Sequence, residues 1–253
     1  LFVHALMNEG LSERAAREHL YLVDQHGLLV EGIPNLLPFQ QKLLKSQNEI
    51  SHWQRTSAAT ISLLDVVKNV RPHALIGVSG QAGLFDETLI REMTKHVERP
   101  IIMPLSNPIT RSEATPTDIM NWTQQRAVIG TGSPFEPLVK KGASFRVDQT
   151  NNVYIFPGMG LGLLSVQAKR VTDKMFMIAA KALAECSPAK TNHEGNLLPS
   201  IDNIRDISFQ VAHAVAVEAI QAGLVDNLTE KQARLYIEKN VWSPEYHPYV
   251  LHK

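Results

Sequence analysis

The hydrophobic positions of this chain follow two alternating periods. Short, almost continuous apolar runs end at small or polar residues, and the segments between them carry apolar residues at helical spacing. Strands that alternate with helices predict an α/β fold with a mostly parallel sheet. The predicted strands are residues 21–23, 74–79, 101–105 and 127–131, and the predicted helices are residues 1–10, 12–20, 62–69, 86–96 and 112–122, with an irregular segment at 31–58.

After residue 157 the pattern becomes helical. The glycines of Gly158–Gly162 do not follow a strand and lack the spacing of a phosphate-binding loop, so we interpret them as helix-packing positions. The chain therefore divides into an α/β part, residues 1–157, and a helical C-terminal tail, residues 158–253. Because residues 1–10 open inside a helical pattern, we expect the chain to be a piece of a longer protein. The helices of the tail are predicted near residues 160–168, 171–186, 201–223 and 229–240.

Composition excludes several function classes. The 25 basic and 25 acidic residues give a formal net charge of +0, and no basic stripe or polybasic tail indicates a nucleic-acid or membrane partner. The apolar runs are far shorter than the roughly 18 residues that a membrane span needs. Cys186 is the single cysteine, which fits a reducing compartment, and we expect a cytoplasmic location, with the mitochondrial matrix as the alternative for a eukaryotic protein.

The strand at residues 101–105 gives the clearest indication of a site. It ends in Ser106-Asn107-Pro108, which places the amide of Asn107 at the carboxyl end of a predicted parallel strand. Ligands of open α/β sheets bind outside the carboxyl ends of the strands. The Asn107 amide supplies two donors and an acceptor there without a charge.

Three weaker features each allow two interpretations. Asp24 ends a predicted strand, where a carboxylate can bind ribose hydroxyls, but it also fits a turn before Gly27. The small residues of Gly77–Gly80 allow either close approach of a ligand or a tight turn. Asn151-Asn152 precedes an apolar run at residues 153–157, which predicts a strand, so the pair fits a turn or a site for a carboxylate or carboxamide. The 10 histidines lack metal-ligand spacing.

Five motifs follow one another along the chain: Val23–Leu29, Ile76–Gly80, Pro104–Pro108, Thr131–Phe135 and Gln149–Gly158. In this order they resemble the motifs of malic enzymes of the NAD type. The resemblance covers essentially the whole chain. It implies a Rossmann-type sheet in residues 1–157, truncated at its N-terminal edge, and the oxidative decarboxylation of L-malate to pyruvate and CO2 with reduction of NAD.

The resemblance also implies roles for individual residues. Substrate binding falls to Asn107, Asn151 and Asn152, and NAD binding falls to Asp24, Gly77, Val78, Ser79, Gly80, Asn107 and Asn152. It places no catalytic residue and no metal ligand in this chain: the acid, the base and the ligands of a Mg or Mn ion are expected in an N-terminal half outside it. The chain alone is then expected to be inactive, and the parent protein to be a homodimer or homotetramer.

Two alternatives remain open from the sequence. Malolactic enzymes, which convert malate to lactate and CO2, share these motifs, and a non-catalytic dinucleotide-binding module would need only the fold. NAD is favoured over NADP because Gln25 and His26, rather than Arg or Lys, follow Asp24.

Overall fold

The computed structural model describes residues 1–140 and 142–246. Within this range the chain forms two compact units. The first unit comprises residues 1–151 with residues 188–198, and the second comprises residues 152–187 with the chain from residue 199 onward. Residues 247–253 of the predicted helical tail lie outside the described residues.

A four-stranded parallel sheet forms the centre of the first unit. Its strands are β3 (Ala74–Gly77), β4 (Ile101–Pro104), β5 (Val128–Thr131) and β8 (Asp148–Gln149), paired in that order. Because every pair is parallel, all four strands end on the same side of the sheet. The predicted α/β fold with a parallel sheet is confirmed. We call the residues that follow these four strand ends the carboxyl edge.

Three helices of the first unit flank the sheet: one precedes β3, one connects β3 to β4 and one connects β4 to β5. They are α5 (Leu63–Val70), α6 (Glu87–Thr94) and α7 (Pro116–Trp122). Each helix is capped by the side chain of the residue before it, which accepts one backbone N–H of the first turn; the capping residues are Ser62, Asp86 and Thr115 in turn. The core that they share with the sheet consists of Val67, Leu75, Phe85, Leu89, Ile90, Met93, Ile102, Ala114, Ile119, Met120, Ala127 and Ile129.

The start of α7 differs from the predicted helix at residues 112–122. Thr115 accepts the backbone N–H of Asp118, and Pro116 occupies the first turn, where its missing N–H costs nothing. Ser112 instead donates its hydroxyl to the carbonyl of Ala114. Residues 112–114 are therefore an extended lead-in to the helix, and Glu113 does not lie on α7.

Small elements fill the N-terminal part of the first unit. The hairpin of β1 and β2 packs with Ile50, Ile61 and Val66 in a second apolar cluster, and the predicted irregular segment contains two one-turn helices. The elements are α1 (Phe2–Asn8), α2 (Glu13–Glu18), β1 (Val23–Asp24), β2 (Gly27–Leu28), α3 (Pro38–Gln41) and α4 (Gln47–Ile50), and a further hairpin joins β6 (Leu138–Lys140) to β7 (Ala143–Phe145).

Asp148 at the start of β8 attaches residues 188–198 to the first unit. Its carboxylate accepts hydrogen bonds from the backbone N–H of Leu198 at 2.9 Å, from Arg146 Nη2 at 2.8 Å and from Asn196 Nδ2 at 2.8 Å. Burial raises the pKa of this carboxyl group above its usual value, although these donors oppose the shift. The sheet therefore gains a covering loop from a distant part of the sequence.

The second unit is helical, as predicted for the C-terminal tail. Helix α10 packs against the other three helices. A Cβ atom on Gly158 would lie 2.7 Å from the carbonyl oxygen of Ser208, and one on Gly162 would overlap the carbonyl of Ala212, so the helix-packing interpretation is confirmed for these two glycines. It is wrong for Gly160, where a Cβ atom would meet nothing within 4 Å. The helices are α8 (Phe156–Ser165), α9 (Asp173–Glu185), α10 (Ile204–Gln221) and α11 (Glu230–Asn240).

The strand predicted after Asn151-Asn152 is wrong. Asn152–Tyr154 forms a 3-10 turn, and α8 begins at Phe156. Pro157 in the first turn explains the difference, because its fixed φ suits a helix start and it has no N–H for a sheet. Within the described part of the chain, no helix combines the length and the apolar character needed to span a membrane.

Candidate functional site

The carboxyl edge brings several of the predicted site residues together. Gly77 ends β3, and Val78, Ser79 and Gly80 form the loop after it. Asn107 lies three residues beyond the end of β4, in the neighbouring loop. Side chains that are 27 or more positions apart in the sequence are thus neighbours on one edge, as expected for parallel strands.

Glu113 connects the loops after β3 and β4. Its Oε1 accepts hydrogen bonds from the backbone N–H of Ser79 at 2.8 Å, from Ser79 Oγ at 2.8 Å and from Ser106 Oγ at 2.5 Å. Its Oε2 accepts from the backbone N–H of Ser106 at 3.3 Å. We call Glu113, Ser79 and Ser106 the Glu113 cluster; it joins the ends of two adjacent strands.

The carboxylate of Glu113 is fully buried, with an exposed fraction of 0%. Burial raises its pKa, but the hydrogen bonds from Ser106 and Ser79 together outweigh burial and hold the pKa below its usual value. Glu113 is therefore charged at neutral pH. Gly77 leaves the space for it, because a Cβ atom there would lie 2.6 Å from Glu113 Cδ.

Ser133 orients the amide of Asn107. Ser133 follows β5, is buried, and donates its hydroxyl to Asn107 Oδ1 at 3.1 Å. Among the described residues, no hydrogen bond engages Asn107 Nδ2, and the residue is exposed. The donor end of the amide is therefore available to a ligand with an acceptor oxygen.

Thr131 extends the connected edge to β8. Its hydroxyl donates to the carbonyl of Ser133 at 2.8 Å, and its own carbonyl accepts the backbone N–H of Thr150 at 2.7 Å. Gly130 is close to Thr150 as well, since a Cβ atom on it would lie 2.7 Å from Thr150 Oγ1. Hydrogen bonds thus run across all four strand ends, and the exposed Asn151 follows directly after Thr150.

Asp24 lies in a different setting from the one predicted. It ends β1 of an antiparallel hairpin rather than a strand of the four-stranded sheet, and its Oδ1 accepts the backbone N–H of His26 at 2.8 Å. The turn closes through Gly27, whose φ of +88° favours glycine. Asp24 also borders a surface cleft of about 860 Å³, together with Pro34, Gln40 and Arg55. Its carboxylate is half-buried and lines a space that a ligand can enter.

Asn152 begins the second unit, whereas Asn151 ends the first. Gly77, Ser79, Gly80 and Asn107 all belong to the first unit, where hydrogen bonds connect their loops. The structure does not test the binding role predicted for Asn152. Val78 is exposed at 77% and offers a small apolar surface beside the edge.

The family of this chain follows from comparison with known proteins. The protein family described as "Malic enzyme, NAD binding domain" matches residues 1–220. The chain belongs to this family. The resemblance found in the five motifs is confirmed, and the function of the domain is NAD binding.

The relatives of this malic enzyme domain are more than twice as long as the region that matches this chain. The chain is 49% identical over 247 residues to the NAD-dependent malic enzyme of Shewanella frigidimarina (strain NCIMB 400). The matched region covers 98% of this chain and 44% of that protein. The chain is 50% identical over 244 residues to the NAD-dependent malic enzyme of Proteus mirabilis (strain HI4320), covering 96% of this chain and 43% of that protein. The chain thus spans less than half the length of these relatives.

Solved structures support the fold of the malic enzyme domain. The malic enzyme of Entamoeba histolytica matches with a TM-score of 0.66 and 23% identity, over 87% of this chain and 41% of that one. The malic enzyme of Pyrococcus horikoshii Ot3 matches with a TM-score of 0.60 and 23% identity, over 84% and 43%. These matches confirm the Rossmann-type α/β fold.

The residues of the malic enzyme domain fit a dinucleotide. Gly80 has no side chain to block a flat ring, Asn107 presents a donor, and Asp24 carries a carboxylate on a cleft, whereas Gly77 is buried against Glu113. The described residues contain no group of three or more His, Cys, Asp or Glu side chains that could hold a metal ion.

Sequence reasoning missed Glu113 and Ser133. Glu113 carried a weak signal, since it is an acidic residue between Ser112 and Ala114 that precedes Thr115-Pro116, a strong helix start. With the helix placed from Thr115, Glu113 becomes a charged residue in a connecting segment seven positions after Ser106. Ser133 lies in the motif Thr131–Phe135, but nothing in the sequence indicated that its hydroxyl contacts Asn107.

Proposed function

We propose that the chain is the cofactor-binding part of an NAD-dependent malic enzyme, which oxidises and decarboxylates L-malate to pyruvate and CO2 and reduces NAD. The observation that carries this proposal is the identity of 49–50% to proteins of that name across 96–98% of this chain. The connected carboxyl edge supports it, because a dinucleotide binds at that position in a doubly wound sheet.

Each predicted site residue then has a physical role. Asp24 accepts hydrogen bonds from the ribose hydroxyls, and its charge disfavours the 2′-phosphate of NADP. Gly77, Val78, Ser79 and Gly80 border the cofactor, which supplies the hydride acceptor when bound. Asn107 donates from Nδ2 to an oxygen of the substrate or of the nicotinamide carboxamide, and Asn151 and Asn152 contribute neutral hydrogen bonds to the same ligands.

The remaining parts of the reaction belong to the proposal as well. We assign the acid, the base and the ligands of a Mg or Mn ion to the part of the relatives that this chain does not match, which exceeds half of their length. The chain alone is then inactive. We extend the proposal to a cytoplasmic homodimer or homotetramer; the single cysteine, Cys186, is consistent with a reducing compartment.

Product analysis of the complete natural chain tests the activity. With L-malate, NAD and Mn²⁺ we expect NADH and pyruvate in equal amounts. Lactate without NADH would identify a malolactic enzyme instead, and the absence of either product would contradict both reactions.

A substitution at Asn107 tests the site. We expect Asn107→Ala to lower kcat/KM for L-malate by about 10- to 100-fold, which corresponds to about 1–3 kcal/mol for a lost hydrogen bond in a closed site. Asn121→Ala is a matched control, since Asn121 is exposed on α7 away from the carboxyl edge. Equal kinetics of the two variants would remove Asn107 from the site.

A further inference from the structure

Glu113 is a buried anion with no ion-pair partner in the part of the chain that the structure describes. None of the ion pairs among the described residues includes it, and its exposed fraction is 0%. Removing a carboxylate from water is costly unless hydrogen bonds replace the lost solvation. Here four donors replace it, and all four belong to Ser79 and Ser106.

These four donors come from two separate loops. Ser79 follows β3 and Ser106 follows β4, and each contributes both its backbone N–H and its hydroxyl. The hydroxyl of Ser106 also accepts the backbone N–H of Gly80 at 2.8 Å. One carboxylate therefore fixes how far apart the two loops lie.

Both loops carry residues of the proposed site directly beside their contact with Glu113. Gly80 follows Ser79, and Asn107 follows Ser106. A shift of the carboxylate would move the backbone that bears these residues, with no flexible side chain between them to absorb it. Gly77 closes the remaining side of the carboxylate, since any Cβ there would collide with Cδ, Cγ and Oε2 of Glu113.

We infer, on the basis of the proposed function, that Glu113 is a positioning residue for the NAD and malate site. Its carboxylate holds the loops after β3 and β4 at the separation from which Gly80 and Asn107 contact the ligands. Glu113 does not contact them itself, because it is fully buried. Errors of about 1 Å in the position of binding groups can reduce the rate by about 100-fold, so fixing this separation matters for catalysis.

The test compares Glu113→Gln with Asp65→Asn in the complete natural chain. Glutamine keeps the volume but turns an amide N–H₂ towards one set of donors. We expect Glu113→Gln to raise both the KM for NAD and the Kd for NADH, read by NADH fluorescence, at least about tenfold, with a lower kcat. Asp65 is an equally buried carboxylate with four donors, at the start of α5, so Asp65→Asn should leave both constants within about twofold.

This comparison separates positioning from stability. A purely structural role would reduce the amount of folded enzyme, which lowers the apparent kcat but leaves KM and Kd unchanged. Glu113→Gln with a KM for NAD and a Kd for NADH within about twofold of the wild type would therefore overturn the inference.

A second variant covers the case in which Glu113→Gln does not fold. Ser106→Ala removes the hydroxyl that donates to Glu113 and accepts from Gly80, while the carboxylate keeps its other donors. We expect the Kd for NADH to rise at least about threefold, and an unchanged Kd would contradict the inference. A wild-type chain that binds NADH but makes no pyruvate from malate would contradict the proposed function alone, because the Kd comparison still tests the role of Glu113.

Discussion

Two buried carboxylates in the first unit have almost the same chemistry and very different positions. Asp65 accepts hydrogen bonds from the backbone N–H and the hydroxyl of both Thr56 and Ser62, and we call these three residues the Asp65 cluster. Glu113 likewise accepts four hydrogen bonds, from the backbone N–H and the hydroxyl of both Ser79 and Ser106. The exposed fractions of Asp65 and Glu113 are 1% and 0%.

The difference lies in what each carboxylate joins. Asp65 bonds to residues 3 and 9 positions away and closes the first turn of its own helix, α5. Glu113 bonds to residues 7 and 34 positions away and joins the ends of two strands. A buried charge can thus complete a local element or fix the distance between two elements, and only the second arrangement bears on a site that both elements form.

Deleting the two carboxylates should give the largest contrast. We expect Glu113→Ala to lower the free energy of local unfolding by about 3 kcal/mol across residues 77–80 and 104–113, since the donors of the buried Ser106 lose their acceptor without gaining water. Asp65→Ala should cost about 1–2 kcal/mol, the usual range for a helix cap, because Thr56 is exposed and its donors return to solvent.

Hydrogen exchange read by mass spectrometry locates each effect. Faster exchange after Asp65→Ala should stay within residues 54–66, whereas Glu113→Ala should affect peptides from both strand ends. Loss of protection that is confined to residues 112–114 in Glu113→Ala would show that the Glu113 cluster is as local as the Asp65 cluster.

The capping role of the Asp65 cluster could be predicted from the sequence, and the Glu113 cluster could not. The apolar spacing alone predicts the helix at residues 62–69 to within one residue at each end. Ser62-x-x-Asp65 before an apolar helical run is a local capping signal. A pattern of this kind needs only residues within one helical turn.

The Glu113 cluster depends on which strands are neighbours and on their register. Residues 79 and 106 become adjacent only when Gly77 pairs with Pro104 across β3 and β4. The sequence predicts β3, β4 and the position of Asn107 at the carboxyl edge. It does not predict which side chains connect the loops after these two strands. The helix predicted from Ser112 also concealed Glu113, because the competing start at Thr115-Pro116 was not recognised.

The substitution Gly77→Ala, which adds a methyl group next to the Glu113 carboxylate, should have an intermediate effect on stability. We expect Gly77→Ala to cost about 1–3 kcal/mol of unfolding free energy, because the new Cβ would lie 2.6–2.8 Å from three atoms of a side chain that four hydrogen bonds hold in place. Thermal or denaturant unfolding measures this loss of stability. Gly77→Ala should also raise the Kd for NADH, as we expect for Glu113→Gln.

Gly160→Ala provides the matched control for Gly77→Ala. Gly160 lies within α8 and a Cβ atom there meets nothing within 4 Å, so alanine should stabilise the helix by about 0.5–1 kcal/mol. Gly77→Ala that unfolds and binds NADH like the wild type would show that Glu113 has room to move and does not fix the two loops.

The smallest effect that we expect is a dependence on pH, and it should be the same for both clusters. Burial raises the pKa of Asp65 and of Glu113, but in each case the hydrogen bonds together outweigh burial, so both pKa values lie below the usual 3.8 for Asp and 4.5 for Glu. A carboxyl group with a lower pKa in the folded state stabilises the protein fully above the unfolded pKa, and this stabilisation is lost as the pH falls through the folded pKa. The stability difference between the wild type and either Glu113→Gln or Asp65→Asn should therefore be constant near pH 7 and shrink below about pH 4.5 for Glu113 and about pH 3.8 for Asp65.

Denaturant unfolding at a series of pH values measures this stability difference. A difference that stays constant down to pH 3 would show that the carboxylates are not held in their charged form. Both carboxylates accept two backbone N–H and two hydroxyl hydrogen bonds. A similar loss of stability at low pH in both clusters, alongside different NADH affinities of the two variants, would therefore locate the functional contrast in what each carboxylate joins.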